Sequence, residues 1–228
     1  MESVKNRRYS KAIQKELLER YNINIIFDIG ANIGQYALEL RDIGYKGKIV
    51  SFEPLSAAYT ILHRKTMKDK KWVAINLAIG DVDSESEINV SENLQSSSLL
   101  EMLPSHKKSF PKSVYIGKEK IKIRKIDSIL NQYCQKKDRL FIKMDAQGYE
   151  KLIIEGASHS IISILGIQLE MSFMPLYQNE LTFWQMKSFL EKCGFTLMSV
   201  EPGVRDPKTG EMLQIEGIFY RLLSKCRI

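Results

Sequence analysis

Apolar and polar positions along this chain switch between a continuous run and a period near 3.6, which predicts strands alternating with helices. Residues 25–29, Ile-Ile-Phe-Asp-Ile, form a short β-branched and aromatic run, as a strand buried on both faces would. Ile33, Ala37, Leu40 and Ile43 then recur at helical spacing, and Gly44 stands where such a helix would stop. The succession continues with a strand over 48–52, a helix over 54–68 and a strand over 72–77. Further strands are expected over 140–144 and 166–171, a helix over 182–193, and a closing antiparallel pair from 195–200 and 218–222. Ahead of them, residues 10–21 set Ile13, Leu17 and Tyr21 on one face of an amphipathic N-terminal helix, expected to act as a lid or packing element. Residues 84–128 break the alternation. They read as an inserted β-hairpin on the substrate side, with its loop at Asn93-Leu94-Gln95-Ser96-Ser97-Ser98.

Composition narrows the picture to one domain spanning 1–228. With 228 residues and 44% hydrophobic content, one sizeable core is possible and a second is not required. No apolar stretch approaches the ~20 residues of a membrane span, and the polar, basic first twenty residues lack the apolar core of a secretory signal. Cys134, Cys193 and Cys226 are dispersed and odd in number, which points to a reducing, cytoplasmic setting. The net charge of +7 is local: eight Lys or Arg between positions 107 and 125 face one acid, Glu119, and leave the rest of the chain neutral. Such a segment suits phosphate, an acidic carrier or nucleic acid. The plainer reading is a solvated strand, because Lys120, Lys122 and Arg124 alternate with Ile121 and Ile123.

The first strand and its helix carry the most informative chemistry. Gly30 and Gly34 bracket Asn32 between them, a turn that brings backbone close to a ligand beside a helix amino end. A dinucleotide fold asks for a glycine where Asn32 stands, so that a pyrophosphate can lie on bare backbone. Asp28 closes the strand where a phosphate would come near, and a carboxylate suits an ammonium group instead. S-adenosylmethionine has an ammonium, a sulfonium and a ribose, and no phosphate. Glu53 ends the second strand 23 positions after Gly30, placed to accept both ribose hydroxyls of either ligand class. A nicotinamide-dependent oxidoreductase and a non-catalytic adenosine-binding or carrier-docking module therefore stand as alternatives.

Four stretches in order, D-I-G-A-N-I-G-Q-Y from Asp28, I-V-S-F-E-P to Pro54, I-K-M-D-A-Q-G-Y-E to Glu150 and G-I-Q-L-E-M-S-F-M-P-L-Y to Tyr177, resemble the FkbM-type methyltransferases. The similarity runs over about 25–221, and D-x-Q-G-x-E is its most specific element. The resemblance implies a Rossmann-like class I methyltransferase fold: a mostly parallel seven-stranded sheet, helices on both faces and an antiparallel closing strand. It also implies O-methylation of a hydroxylated sugar or secondary metabolite, free or carrier-bound. On that basis Asp28, Gly30, Ala31, Asn32, Gly34 and Gln35 are expected around the methionine part of S-adenosylmethionine. Glu53 and Pro54 are expected at the ribose, Ala78 at the adenine edge, and Asp145 beside the methyl group.

Methyl transfer to a hydroxyl needs donor and acceptor held in line, and a base within hydrogen-bond reach of the acceptor proton. Asp145 and Glu170, at the ends of the fourth and fifth strands, and His106, in the insertion, are the candidates. His63 and His159 fall in predicted helices and read as surface residues. Asp145 and Glu170 could instead hold a divalent ion that acidifies the hydroxyl, but with no adjacent acidic pair or histidine cluster a metal is not expected. Nucleic acid is disfavoured as well, since Asp145-Ala146-Gln147-Gly148 differs from the Asn/Asp-Pro-Pro-aromatic corner of base-amine methylation.

Overall fold

The computed structural model of the chain describes residues 2–110, 113–206 and 208–222. Its first half runs α1 (Glu2–Arg20), β1 (Ile25–Ile29), α2 (Gln35–Asp42), β2 (Lys48–Phe52), α3 (Ser56–Thr66) and β3 (Trp72–Ile75). The middle adds β4 (Ala78–Ile79), β5 (Ser84–Ser91), α4 (Pro104–Ser109), β6 (Tyr115–Arg124) and α5 (Ile126–Tyr133). The last part holds β7 (Leu140–Met144), α6 (Glu150–Glu155), β8 (Ile164–Ser172), α7 (Phe183–Lys192), β9 (Thr196–Pro202) and β10 (Gln214–Tyr220). Seven strands form one sheet in the order β3-β2-β1-β7-β8-β10-β9. Only β10 runs against its neighbours, pairing antiparallel with β8 and β9. The strand order reverses between β1 and β7, and ligands of open α/β sheets sit outside the strand ends at such a reversal.

Strand alternation explains both layers of the core. Ile25, Phe27 and Ile29 point to the face that also buries Ile126, Ile153 and Met186 from α5, α6 and α7. Ile26 and Ile49 point the other way, into a cluster with Leu17, Ala37 and Leu62 from α1, α2 and α3. Asp28, Ser51 and Lys143 share this second face by period two, and register sets Asp28 opposite both Ser51 and Lys143. Toward the carboxyl ends of the strands, that face therefore changes from apolar to polar.

The structure corrects several boundaries. Helix α1 begins at Glu2, ahead of the expected start at residue 10. Residues 2–9 carry no apolar stripe, yet their charged straight-chain residues propagate a helix well. The third strand stops at Ile75, and Ala78 and Ile79 pass into a second sheet of order β4-β6-β5. The insertion does hold the expected antiparallel ladder, β5 with β6, but residues 126–133 leave it as α5, and the long connection between the strands contains α4. His159 sits in a turn, where its backbone N–H donates to Asp127 at 3.0 Å. Lys118, Lys120 and Lys122 are exposed on β6, and the last two lie opposite Glu87 and Glu85 of β5, so the plainer reading of a solvated strand fits them. Lys112, the side chains of Lys107 and Lys108, and Cys226 lie outside the described residues. No helix among the described residues is long and apolar enough to cross a membrane.

Candidate active site

A cavity of about 550 Å³ opens at the carboxyl ends of β1, β2, β7 and β8 and at the amino end of the antiparallel β10. Its tightest wall is the turn after β1. Gly30 has φ +73°, and a Cβ there would lie 1.9 Å from the backbone oxygen of Asp145, so only glycine lets β1 and β7 meet this closely. The corner is tied by backbone bonds: Gly30 N–H donates to Phe52 O and Asp145 N–H donates to Ile29 O, each at 3.0 Å. Asn32 also has positive φ, and its Oδ1 accepts the N–H of Ile33 at 2.8 Å. Gly34 is placed differently. It precedes α2 at φ +86° and does not line the cavity; a Cβ on it would strike Trp72 at 2.7 Å. Its requirement is packing on the sheet.

Two carboxylates anchor this wall. Asp28 is fully buried; its Oδ2 accepts the Ser51 hydroxyl at 2.9 Å, while its Oδ1 has no partner. Burial pushes its pKa up to about 6, against the pull of Lys143 and the Ser51 bond. Glu53 accepts the N–H of Leu55 on Oε1 and of Asn32 on Oε2, both at 2.8 Å, and so joins the ends of β1 and β2. Burial raises Glu53 to about 7, although both backbone bonds favour its charged form. Each of its oxygens keeps a second acceptor site for a ligand hydroxyl. Pro54, Leu55, Leu77 and Ala78 continue the wall as an apolar shelf beside Glu53.

Asp145 follows β7 on the cavity wall, with 41% of its side chain exposed. Lys143 Nζ donates to its Oδ2 at 3.1 Å and Gln147 Nε2 to its Oδ1 at 2.7 Å, so the carboxylate is fixed from two sides. Gln147 is itself held: its backbone adopts φ +53°, the Tyr177 hydroxyl donates to its Oε1 at 2.7 Å, and the Ser98 hydroxyl donates to its carbonyl at 2.8 Å. Gly148 follows at φ +93°, where a Cβ would meet that of Tyr177 at 2.9 Å. Glu150 closes the element by accepting the Ala146 N–H at 2.8 Å. The D-x-Q-G-x-E pattern is thus a turn in which each named residue orients Asp145 or the backbone beside it. Asp145 does not cap α6.

The far wall is acidic. Glu170 of β8 stands opposite Glu216 of β10 and accepts from Gln214 Nε2 at 2.9 Å. Burial and the Asp145 charge push Glu170 up to about 8, and burial raises Glu216 as well. Lys143 lies among these carboxylates. Burial works against its charge, but Asp145, Glu216 and Asp28 outweigh that penalty and raise its pKa. The insertion supplies the roof: Ser96, Ser97 and Ser98 line the cavity with His106. His106 is 4% exposed, its ring packed between Phe110 and Tyr177 at 5.0 Å from each, and neither nitrogen has a partner. Burial lowers it to about 4, so it stays neutral at ordinary pH.

Of the residues expected from sequence, Asp28, Gly30, Ala31, Asn32 and Gln35 line one cavity with Glu53, Pro54, Ala78, Asp145, Glu170 and His106; Gly34 alone does not. Sequence reading missed Lys143, Glu216 and the bracing role of Gln147. For Lys143 a signal existed, a lysine inside the otherwise apolar run Leu140–Met144. Glu216 gives none, since its role depends on which strand pairs with β8.

The fold is similar to that of a Listeria monocytogenes protein described as an S-adenosylmethionine-dependent methyltransferase: 10% identity and TM-score 0.51 over 89% of this chain and 93% of that one. A Pyrococcus horikoshii protein described as an RNA methyltransferase gives 9% identity and TM-score 0.49, over 94% and 85% of the two chains. The precorrin-6y C5,15-methyltransferase of Geobacter metallireducens gives 13% and 0.45, over 92% and 86%. Similarities this distant describe the fold alone. No curated protein matches the sequence. Residues 28–197 match the methyltransferase FkbM domain, a stretch that runs from the Asp28 corner through the insertion and Asp145 into β9. The chain belongs to the FkbM methyltransferase family, with S-adenosylmethionine as its cofactor.

Proposed function

We propose that the protein is an O-methyltransferase whose acceptor is a hydroxyl of a sugar or secondary metabolite, free or carrier-bound. The observation that carries this reading is the Asp145 carboxylate, held by two donors on the wall of the same cavity as the Asp28 corner. The corner fits the cofactor: the unpartnered buried Oδ1 of Asp28 asks for a donor such as an ammonium, and Glu53 retains acceptor sites for ribose hydroxyls. Pro54 and Ala78 would flank the adenine end, with Ala31, Asn32 and Gln35 along the methionine part. When bound, the sulfonium supplies an electrophilic methyl group.

The remaining work falls to this chain's residues. Asp145 accepts the hydrogen bond of the acceptor hydroxyl and takes its proton as the new bond forms, while Lys143 and Gln147 keep the carboxylate in place. Glu170, raised to about 8, is mostly protonated at pH 7 and so serves better as a donor that orients the acceptor. Neutral His106 in the roof helps exclude water and offers an unsatisfied ring nitrogen to an acceptor oxygen or hydroxyl. Among the described lining residues, the acidic side chains of Asp28, Glu39, Glu53, Asp145, Glu170 and Glu216 face one lysine, Lys143, a balance that disfavours a phosphate-rich acceptor such as nucleic acid. Free Cys134 and Cys193 support a reducing, cytoplasmic location.

The test is Asp145→Asn, assayed with labelled S-adenosylmethionine over a panel of hydroxylated acceptors. Turnover should fall by about 10²–10⁴-fold, the usual worth of a general base, with S-adenosylhomocysteine affinity changed far less. Equal losses in both would move Asp145 to cofactor holding and overturn its role as base.

A further inference from the structure

We infer that Lys143 is the anchor for the carboxylate of the cofactor's amino-acid end, acting side by side with Asp28, which takes the ammonium. The inference rests on the S-adenosylmethionine reading of the corner and adds a residue to it. Asp28 and Lys143 are register partners on adjacent parallel strands, β1 and β7, and alternation puts both side chains on the same face. Neighbouring strands lie about 4.8 Å apart. An α-amino acid carries its ammonium and carboxylate on one carbon, so a carboxylate and an ammonium at that spacing match its two ends at once.

The rest of the cavity leaves few other partners for a carboxylate. Among the described lining residues Lys143 is the only cation, against six carboxylates. An anion entering elsewhere along the acidic wall would meet the Asp145 carboxylate and no other cation among the described lining residues. One of the three Nζ donors goes to Asp145 Oδ2 at 3.1 Å, and the others have no partner among the described residues. Nζ also lies 5.7 Å from the ring centroid of Tyr36, another cavity residue. The vacant acceptor at Asp28 Oδ1 and the spare donors of Lys143 are thus complementary halves of a zwitterion site. A lysine present only to neutralise Asp145 would not need to be in register with Asp28.

Calorimetry decides between these roles. S-adenosylhomocysteine and its decarboxylated analogue, S-adenosyl-3-thiopropylamine, differ in the carboxylate alone. The unmutated protein should prefer the first by about 10- to 100-fold, the worth of a charge-assisted hydrogen bond. Lys143→Met should lose that preference, chiefly by weakening S-adenosylhomocysteine, and Lys143→Arg should restore part of it. Because Lys143→Met leaves the Asp145 carboxylate uncompensated and so threatens folding, Lys143→Met with Asp145→Asn removes the ion pair together and should lose the preference too. A preference that persists in either folded variant, or that is absent from the unmutated protein, overturns the assignment. Failure of the unmutated protein to bind either ligand would instead overturn the cofactor reading itself, and the assignment with it.

Discussion

Cofactor affinity should climb steeply with pH between 6 and 8, and Glu53 should be the main cause. Ribose hydroxyls donate hydrogen bonds, so they favour the ionised carboxylate; a protonated Glu53 has lost acceptor capacity. Burial sets its pKa at about 7. The ionised fraction then goes from about one tenth at pH 6 to about nine tenths at pH 8, a change of roughly tenfold in affinity if only that form binds well. Asp28, at about 6, contributes roughly a further twofold over the same interval, because it passes from half to fully ionised. Together they predict an S-adenosylhomocysteine dissociation constant about twentyfold lower at pH 8 than at pH 6, or ~1.8 kcal/mol. Calorimetric titration at pH 6, 7 and 8 and constant ionic strength measures it. In Glu53→Gln the affinity should be lower throughout, and only the roughly twofold part from Asp28 should survive. An affinity that is flat from pH 6 to 8, or an equally steep slope in Glu53→Gln, would refute the reasoning.

Two further outcomes follow from packing and charge. Gly30→Ala should destabilise the protein by more than the ~1–2 kcal/mol of a left-handed residue, because its Cβ overlaps backbone atoms of Asp145 and forces β1 and β7 apart; urea unfolding should show it, and a change below about 0.5 kcal/mol would contradict the corner's geometry. Glu170 is raised from 4.5 to about 8, so its protonated form stabilises the fold below pH 4.5, and that contribution is lost as pH rises through 8. Glu170→Gln should therefore melt increasingly above the unmutated protein from pH 6 to pH 8.5 in thermal scans without ligand, and parallel curves would show that the carboxyl is not held in this way.

Much of the molecule was legible from local pattern. The run Ile25–Ile29 became β1 and Leu140–Met144 became β7 with the expected bounds, because strands buried on both faces leave an unbroken apolar signature. Thr182 begins α7 with a capping box to Gln185, at the expected place. Helix α5 was missed although Ile126, Ile129, Leu130 and Tyr133 have helical spacing; the basic alternation just before it drew the insertion's boundary too far. Residues 92–114 gave little warning of α4, since six residues with few apolar positions show no clear period.

By itself, then, the sequence determined the approximate place of the seven strands in the main sheet, and that Asp28, Glu53, Asp145 and Glu170 stand at or near the carboxyl ends of theirs. Periodicity and glycine punctuation are local properties, and each residue in them reports on its own backbone. Strand order is not local. Only the tertiary structure decided that β7 lies next to β1, which sets Lys143 against Asp28, and that β10 lies next to β8, which sets Glu216 against Glu170. Only packing across the sheet showed that Gly34 answers to Trp72 instead of the cavity, and that His106 is roofed in between Phe110 and Tyr177. Charge and burial at the site arise from these long-range neighbours, so the raised pKa values of Asp28, Glu53 and Glu170 belong to the fold and to no single stretch of chain.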